Sequence, residues 1–175
     1  DLSKGNAWPV WCVDGVMNIT HNCLDRWLGT EAERKVALRY ESEAGDVKTL
    51  TYGELHQKVG QVAAGLRALG LGKGDAIALY MPMIPEIAIA MLAIARIGGI
   101  ILPLFSGYGA GAVATRLADA DATAIFTTDG TWRRGRRGPM KPTVDEALLL
   151  APGVEHVIVC DVAGDDITME PGRDL

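Results

Sequence analysis

The sequence predicts an α/β fold, an open and mostly parallel sheet with flanking helices. Two observations carry this expectation. Residues 75–105, DAIALYMPMIPEIAIAMLAIARIGGIILPLF, place an apolar helix between two uncharged strand-like runs. Strand, crossover helix and strand within about 30 residues make a βαβ unit of a parallel sheet. Between residues 76 and 160, four strand runs alternate with three helical runs, and 51–160 has no internal repeat and no dividing linker. That alternation belongs to a parallel sheet with helices packed on it.

Residues 1–35 are irregular and carry Trp8, Trp11 and Trp27. The first two are read as pinning an extended arm to the body, because aromatic rings bring large contact area at little entropic cost. Thr20 is placed as the N-cap of a short helix through Leu28, stopped by Gly29. Strands over 36–42 and 47–51 form a hairpin around Ala44-Gly45-Asp46. Thr51 stands three residues before Glu54, the spacing of a capping box. Leu55, Val59, Val62, Leu66 and Leu69 then give a helix its buried stripe. Gly70-Leu71-Gly72-Lys73-Gly74 follows a helix and precedes a strand, the wrong order for a phosphate loop, and is read as a turn.

The run 76–80 reads as a strand buried on both faces. Pro85 suits the first position of the next helix, Glu86 its first turn, and Gly98-Gly99 its end. A second buried strand is expected over 100–104. A helix over 109–120 turns Val113, Ala114 and Leu117 inward, and residues 124–127 form the third parallel strand. Residues 130–142 are expected as a loop, with Thr143 capping a helix over 144–150. A strand over 156–160 completes the sheet, and 164–175 shows no periodicity. Residues 1–50 are thus an arm with a short helix and a hairpin, and 51–175 an incomplete α/β domain.

The charge of −5 on 175 residues argues against nucleic acid or an anionic membrane as a partner. Residues 130–144 depart from it: Arg133, Arg134, Arg136, Arg137 and Lys141 stand there without an acid, which leaves −10 on the remainder. A basic island on an acidic protein suits a small anion. Cys12, Cys23 and Cys160 lack metal or redox spacing and are read as reduced, partly buried thiols of a cytoplasmic protein. His21, His56 and His156 are too scattered for zinc. Asn18-Ile19-Thr20 is a sequon with no secretory signal beside it. Residues 97–115 are uncharged but too rich in glycine and proline for a membrane span. The chain begins at Asp1 rather than Met, so its natural start is expected to lie further upstream.

Ligands of open parallel sheets bind beyond the carboxyl ends of the strands. Phe105-Ser106-Gly107-Tyr108-Gly109 follows the second parallel strand, and the arginines follow the third. Glycines admit a ligand close to the backbone, and guanidinium forks match phosphate. An anion site is one reading; a solvated surface loop is the other.

YMPMIPE…AMLAIARIGG resembles a core motif of the adenylate-forming enzymes, in particular the short-chain acyl-CoA synthetases of the acetyl-CoA synthetase type. Asn22-Cys23-Leu24-Asp25-Arg26, Leu50-Thr51-Tyr52-Gly53-Glu54-Leu55, residues 105–113 and residues 133–141 agree in the same order. The resemblance implies that the chain is the first part of the large N-terminal domain of such an enzyme. That enzyme would join a short-chain carboxylate, acetate first and propionate second, to coenzyme A, using ATP and Mg²⁺. It further implies that Arg133, Arg134, Gly135, Arg136, Phe105 and Gly107 contribute to the coenzyme A site. Met140 stands where the family usually has leucine. Gly111 replaces a common glutamate, which implies a late or frayed helix start. The phosphate loop, metal segment, ribose-binding aspartate and mobile catalytic lysine of the family are not found, so no catalytic or metal-binding residue is assigned. The expected partners are the small-molecule substrates and the C-terminal part of the enzyme, with self-association of the isolated chain. The competing reading is a stand-alone binding or interaction module without activity.

Overall fold

The computed structural model describes residues 1–175. Asn18, not Thr20, caps the first helix, α1 (Ile19–Cys23): its Oδ1 accepts the Thr20 N–H at 3.0 Å. The same side chain donates from Nδ2 to the Ala95 and Arg96 carbonyls. An amide brings two N–H donors beside its acceptor oxygen, so it can hold two carbonyls while it caps, where a threonine hydroxyl has a single donor. The helix breaks at Leu24, and a 3₁₀ turn, Asp25–Trp27, replaces the helix expected through Leu28. Trp8 and Trp11 do not pin the arm; they are 73% and 80% exposed. The arm closes on itself, the Asp1 amino group donating to the Val10 carbonyl at 2.7 Å. Cys12 is likewise exposed, not partly buried, while Cys23 and Cys160 are intermediate.

Strands β1 (Val36–Glu41) and β2 (Val47–Thr51) form the expected antiparallel hairpin as a separate two-stranded sheet. Thr51 Oγ1 accepts the Glu54 N–H, and Glu54 Oε2 accepts the Thr51 N–H at 2.8 Å, closing the capping box. It starts α2 (Tyr52–Ala68). Thr51→Ala leaves an orphan donor, and a loss of about 0.5–2 kcal/mol in urea denaturation is expected. The helix buries Leu55, Val59, Ala63 and Leu66, with Val62 and Leu69 at the margin. The glycines after it are a turn, with Gly70 and Gly74 at φ of 85° and 95°.

Every residue of β3 (Ala76–Tyr80) is buried. Pro85 opens α3 (Pro85–Ile97), and Gly98 closes it in the left-handed region at φ 80°. In β4 (Ile100–Leu104) only Leu104 is fully buried, against the expectation of a strand covered on both faces. The reason is its place at the sheet edge, where Pro103 removes no needed ladder donor. Helix α4 (Ala110–Asp119) starts directly after Gly109, so Gly111 neither delays nor replaces its first turn. It faces β5 (Ala122–Thr128) with Val113, Ala114 and Leu117.

Two further strands, β6 (Gly130–Arg133) and β7 (Arg136–Pro139), occupy the expected loop. Thr143 is not a cap. Its hydroxyl donates back to the Pro139 carbonyl at 3.2 Å, and α5 (Lys141–Leu148) begins two residues earlier, with Pro142 in its first turn. Strand β8 (His156–Cys160) closes the main sheet. Residues 173–175 run beside its outer edge: the Val157 and Val159 N–H groups donate to the Arg173 and Leu175 carbonyls at 2.9 Å.

The main sheet is parallel throughout, in the order β4-β3-β5-β8. Strand side chains alternate between faces. Ile77, Leu79, Ala124 and Phe126 therefore meet α2 and α3, while Ala76, Ala78, Tyr80, Ile125 and Val157 meet α4 and α5. This is a doubly wound sheet, whose crossovers change face between β3 and β5.

Candidate anion-binding site

The connections leaving β4 and β5 emerge on either side of the end of β3, at the carboxyl edge. Ligands of such sheets bind there. Phe105, Gly107, Arg133, Arg134 and Arg136 line an open cavity of about 650 Å³ at this edge. The Arg133 guanidinium lies 5.3 Å from the centre of the Phe105 ring, and Phe105 meets Tyr108 edge-on at 5.5 Å. Tyr108 is held in turn: its carbonyl accepts the Tyr80 hydroxyl at 2.8 Å, and Arg116 stands over its ring at 4.2 Å. At Gly107 a Cβ would meet the Phe105 ring at 2.5 Å and the Arg133 guanidinium at 3.2 Å, so a side chain here would displace both from their present positions.

The arginines belong to the β6–β7 ribbon. Arg134 and Gly135 form its two-residue turn with φ of 54° and 69°, the all-positive geometry of a type I′ hairpin. Gly135 does not line the cavity; it makes the turn that places Arg133 opposite Arg136. Cross-strand partners share one face, and like charges directly opposite destabilise a ribbon. An anion between them removes that repulsion. Arg137 is turned away into an ion pair with Asp165 at 2.6 Å and a hydrogen bond to the Ala163 carbonyl. It ties the middle of the ribbon, where it pairs with Trp132, to residues 163 and 165.

Asp129, just before Gly130, holds the base of the ribbon to the same segment. Its carboxylate is buried and accepts the N–H groups of Val162, Ala163 and Asp165 at 2.8–3.0 Å. Burial pushes its pKa up, but these donors outweigh burial and hold it at about 2. Lys141, counted with the basic island from sequence, is not part of the cavity. It is 1% exposed and bound to Asp145, Asp174 and the Thr168 carbonyl. Sequence reasoning missed Glu43. Its carboxylate, from the β1–β2 turn, accepts the N–H of Arg134 at 2.9 Å and of Gly135 at 3.3 Å. Those bonds, with Arg133 and Arg134 nearby, lower its pKa. No local pattern announces a contact across 91 residues of chain.

No group of three or more His, Cys, Asp or Glu side chains converges to hold a metal ion. No helix is long and apolar enough to cross a membrane.

A doubly wound parallel sheet with arginines and a glycine at its carboxyl edge defines an α/β domain with a basic cavity where ligands of such sheets bind. The sequence profile described as AMP-binding enzyme matches residues 24–171, and the chain belongs to that family. It is 46% identical over 164 residues to the acetyl-coenzyme A synthetase of Streptomyces coelicolor, covering 94% of this chain and 25% of that protein. It is also 46% identical over 175 residues to the acetyl-coenzyme A synthetase of Methanothrix thermoacetophila, covering 99% and 27%. Among solved structures, the acetoacetyl-CoA synthetase from Streptomyces lividans superposes with a TM-score of 0.81 at 31% identity, over 90% of this chain and 24% of that one. The chain thus spans about a quarter of the length of these relatives.

Proposed function

We propose that the chain is the N-terminal portion of an AMP-forming acyl-CoA synthetase that activates acetate or another short-chain acid. Phe105, Gly107, Arg133, Arg134, Gly135 and Arg136 contribute part of its coenzyme A site. Residues 1–50 serve as the N-terminal arm, and 51–175 open the AMP-binding domain. The observation that carries the reading is the cross-strand pair Arg133–Arg136 facing Phe105 and Gly107, in a chain 46% identical to acetyl-coenzyme A synthetases. The arginines bind and orient the 3′-phosphoadenosine end, and Gly107 lets it approach the backbone. ATP and coenzyme A are substrates of the complete enzyme. Mg²⁺ has no ligand set among these residues.

Calorimetric titration of the chain tests the site. Coenzyme A should bind at least about tenfold more tightly than dephospho-coenzyme A, since a hydrogen bond to a charged group contributes about 1.5–3 kcal/mol. Equal affinities would overturn the assignment. The chain alone should form no acyl-CoA from acetate, ATP and coenzyme A, because the adenylating groups implied by the family are not among its residues. Any ATP-dependent product from the purified chain would contradict this. The chain should also self-associate in light scattering, as β4 leaves one edge of the main sheet unpaired.

A further inference from the structure

The β1–β2 hairpin lies outside the main sheet, yet its turn reaches the arginine ribbon. We infer that Glu43 is a positioning residue of the anion site, acting through the backbone of the arginine turn. The inference rests on the coenzyme A reading above and adds how that site is kept in shape.

A two-stranded ribbon of four-residue strands is marginal by itself in water. Here the base is clamped by Asp129, and one strand is tethered midway by the Arg137–Asp165 pair. The tip, where Arg133, Arg134 and Arg136 converge, has Glu43. Its two carboxylate oxygens take the consecutive N–H groups of Arg134 and Gly135. Successive N–H groups in a turn of this kind form a concavity suited to an anion. The turn that carries Glu43 is itself braced. The Ser42 N–H donates to the Asp46 carbonyl at 2.9 Å, the Asp46 N–H to Ser42 Oγ at 3.0 Å, and the Gly45 N–H to the Ser42 carbonyl at 3.0 Å. Through Thr51, the last residue of β2 and the cap of α2, the hairpin is tied to the core. Glu43 thus transmits the rigidity of the core to the far end of the ribbon.

Two effects of this carboxylate oppose each other. Its negative charge weakens the field that attracts a phosphate. Its hydrogen bonds hold the turn that orders Arg133 against Arg136. Glu43 is exposed, and Coulomb interactions at exposed positions are screened. Ordering two arginine side chains and their ribbon before the ligand arrives is not screened. The ordering effect therefore wins, and removal of Glu43 weakens binding. A carboxylate that acted only through its charge would give the opposite sign.

The test titrates the 175-residue chain with adenosine 3′,5′-bisphosphate and follows backbone amides by NMR. Glu43→Ala should weaken binding about five- to 150-fold, the cost of freeing two long side chains. It should also abolish the exchange protection of the Arg134 and Gly135 amides, with the unfolding midpoint unchanged. Glu43→Gln keeps the acceptor oxygen without the charge, and should recover part of both losses. Unchanged or tighter binding by Glu43→Ala, while Arg133→Ala/Arg136→Ala binds weakly, would overturn the inference and leave the coenzyme A reading standing. If the arginine pair can be removed without loss of affinity, the coenzyme A reading falls and the role of Glu43 falls with it.

Discussion

Replacing Arg133 and Arg136 together by alanine should raise the Michaelis constant for coenzyme A about ten- to a thousandfold in a complete synthetase carrying this sequence. Each arginine supplies a charge-assisted hydrogen bond of about 1.5–3 kcal/mol, and each 1.4 kcal/mol is about tenfold in affinity. The pair faces one anion from adjacent strands, so their contributions couple and the sum is an upper bound. The relief of their mutual repulsion adds to the difference between free and bound states. Adenylation, followed by pyrophosphate exchange, precedes the use of the thiol and should barely change. Dephospho-coenzyme A separates recognition from folding: wild type and double variant should use it almost equally. A variant that loses coenzyme A and its dephospho form in equal measure would make these arginines structural.

Lys141→Met should destabilise the fold by about 3–5 kcal/mol, the usual consequence of leaving one partner of a buried ion pair without its counter-charge. Lys141 Nζ lies 2.7 Å from both Asp145 Oδ1 and Asp174 Oδ2. Arg173 closes the network from the other side, at 2.7 Å from Asp145 and 2.6 Å from Asp174. Two cations thus alternate with two carboxylates, and the Asp174 side chain is wholly buried. Because Lys141 follows the ribbon by two residues, the same change should loosen the anion site. Asp174→Asn should act in the same direction, and a double-mutant cycle with Lys141→Met should show strong coupling.

Acid gives an independent check on this network. Burial pushes the Asp174 carboxyl up, but hydrogen bonds from Arg173, the Glu170 N–H and Lys141 outweigh it and lower the pKa from 3.8 to about 2. A carboxyl lowered in the folded state stabilises it above the unfolded pKa. That stability is lost as pH falls through the folded value. Asp129 is lowered to the same level by its backbone donors. Each shift corresponds to roughly 2 kcal/mol, so denaturant midpoints should fall steeply between about pH 4 and pH 2. Asp174→Asn should start lower at neutral pH and follow a shallower slope. An unchanged slope would show that Asp174 is not a source of the acid sensitivity.

The sheet, its order of elements and its two helix layers were legible in the sequence. Their causes are local and periodic: the uncharged run 76–80, the stripe of α2, Thr51 and Glu54 three residues apart, Pro85 before α3 and Gly98 after it. Phe105, Gly107 and the arginines were also legible as candidates, because topology sends segments that follow parallel strands to one edge. Tertiary structure alone decided the rest. Strand β4 reads as a buried strand, and only its place at the end of the sheet exposes it. The ribbon has no apolar alternation, so nothing local marks β6 and β7 as strands; the turn at Arg134-Gly135 and the clamps at Glu43 and Asp129 make them so. Lys141 reads as a surface charge, since burying an ammonium is costly until partners surround it, and Asp174 comes from 33 positions further along the chain. Trp8 and Trp11 read as anchors, but an aromatic buries only where a surface receives it, and here the arm folds back on itself. Periodicity and capping act over a few residues and are written in sequence. Charge pairing and edge position depend on which distant segments meet, and only the folded chain brings those together.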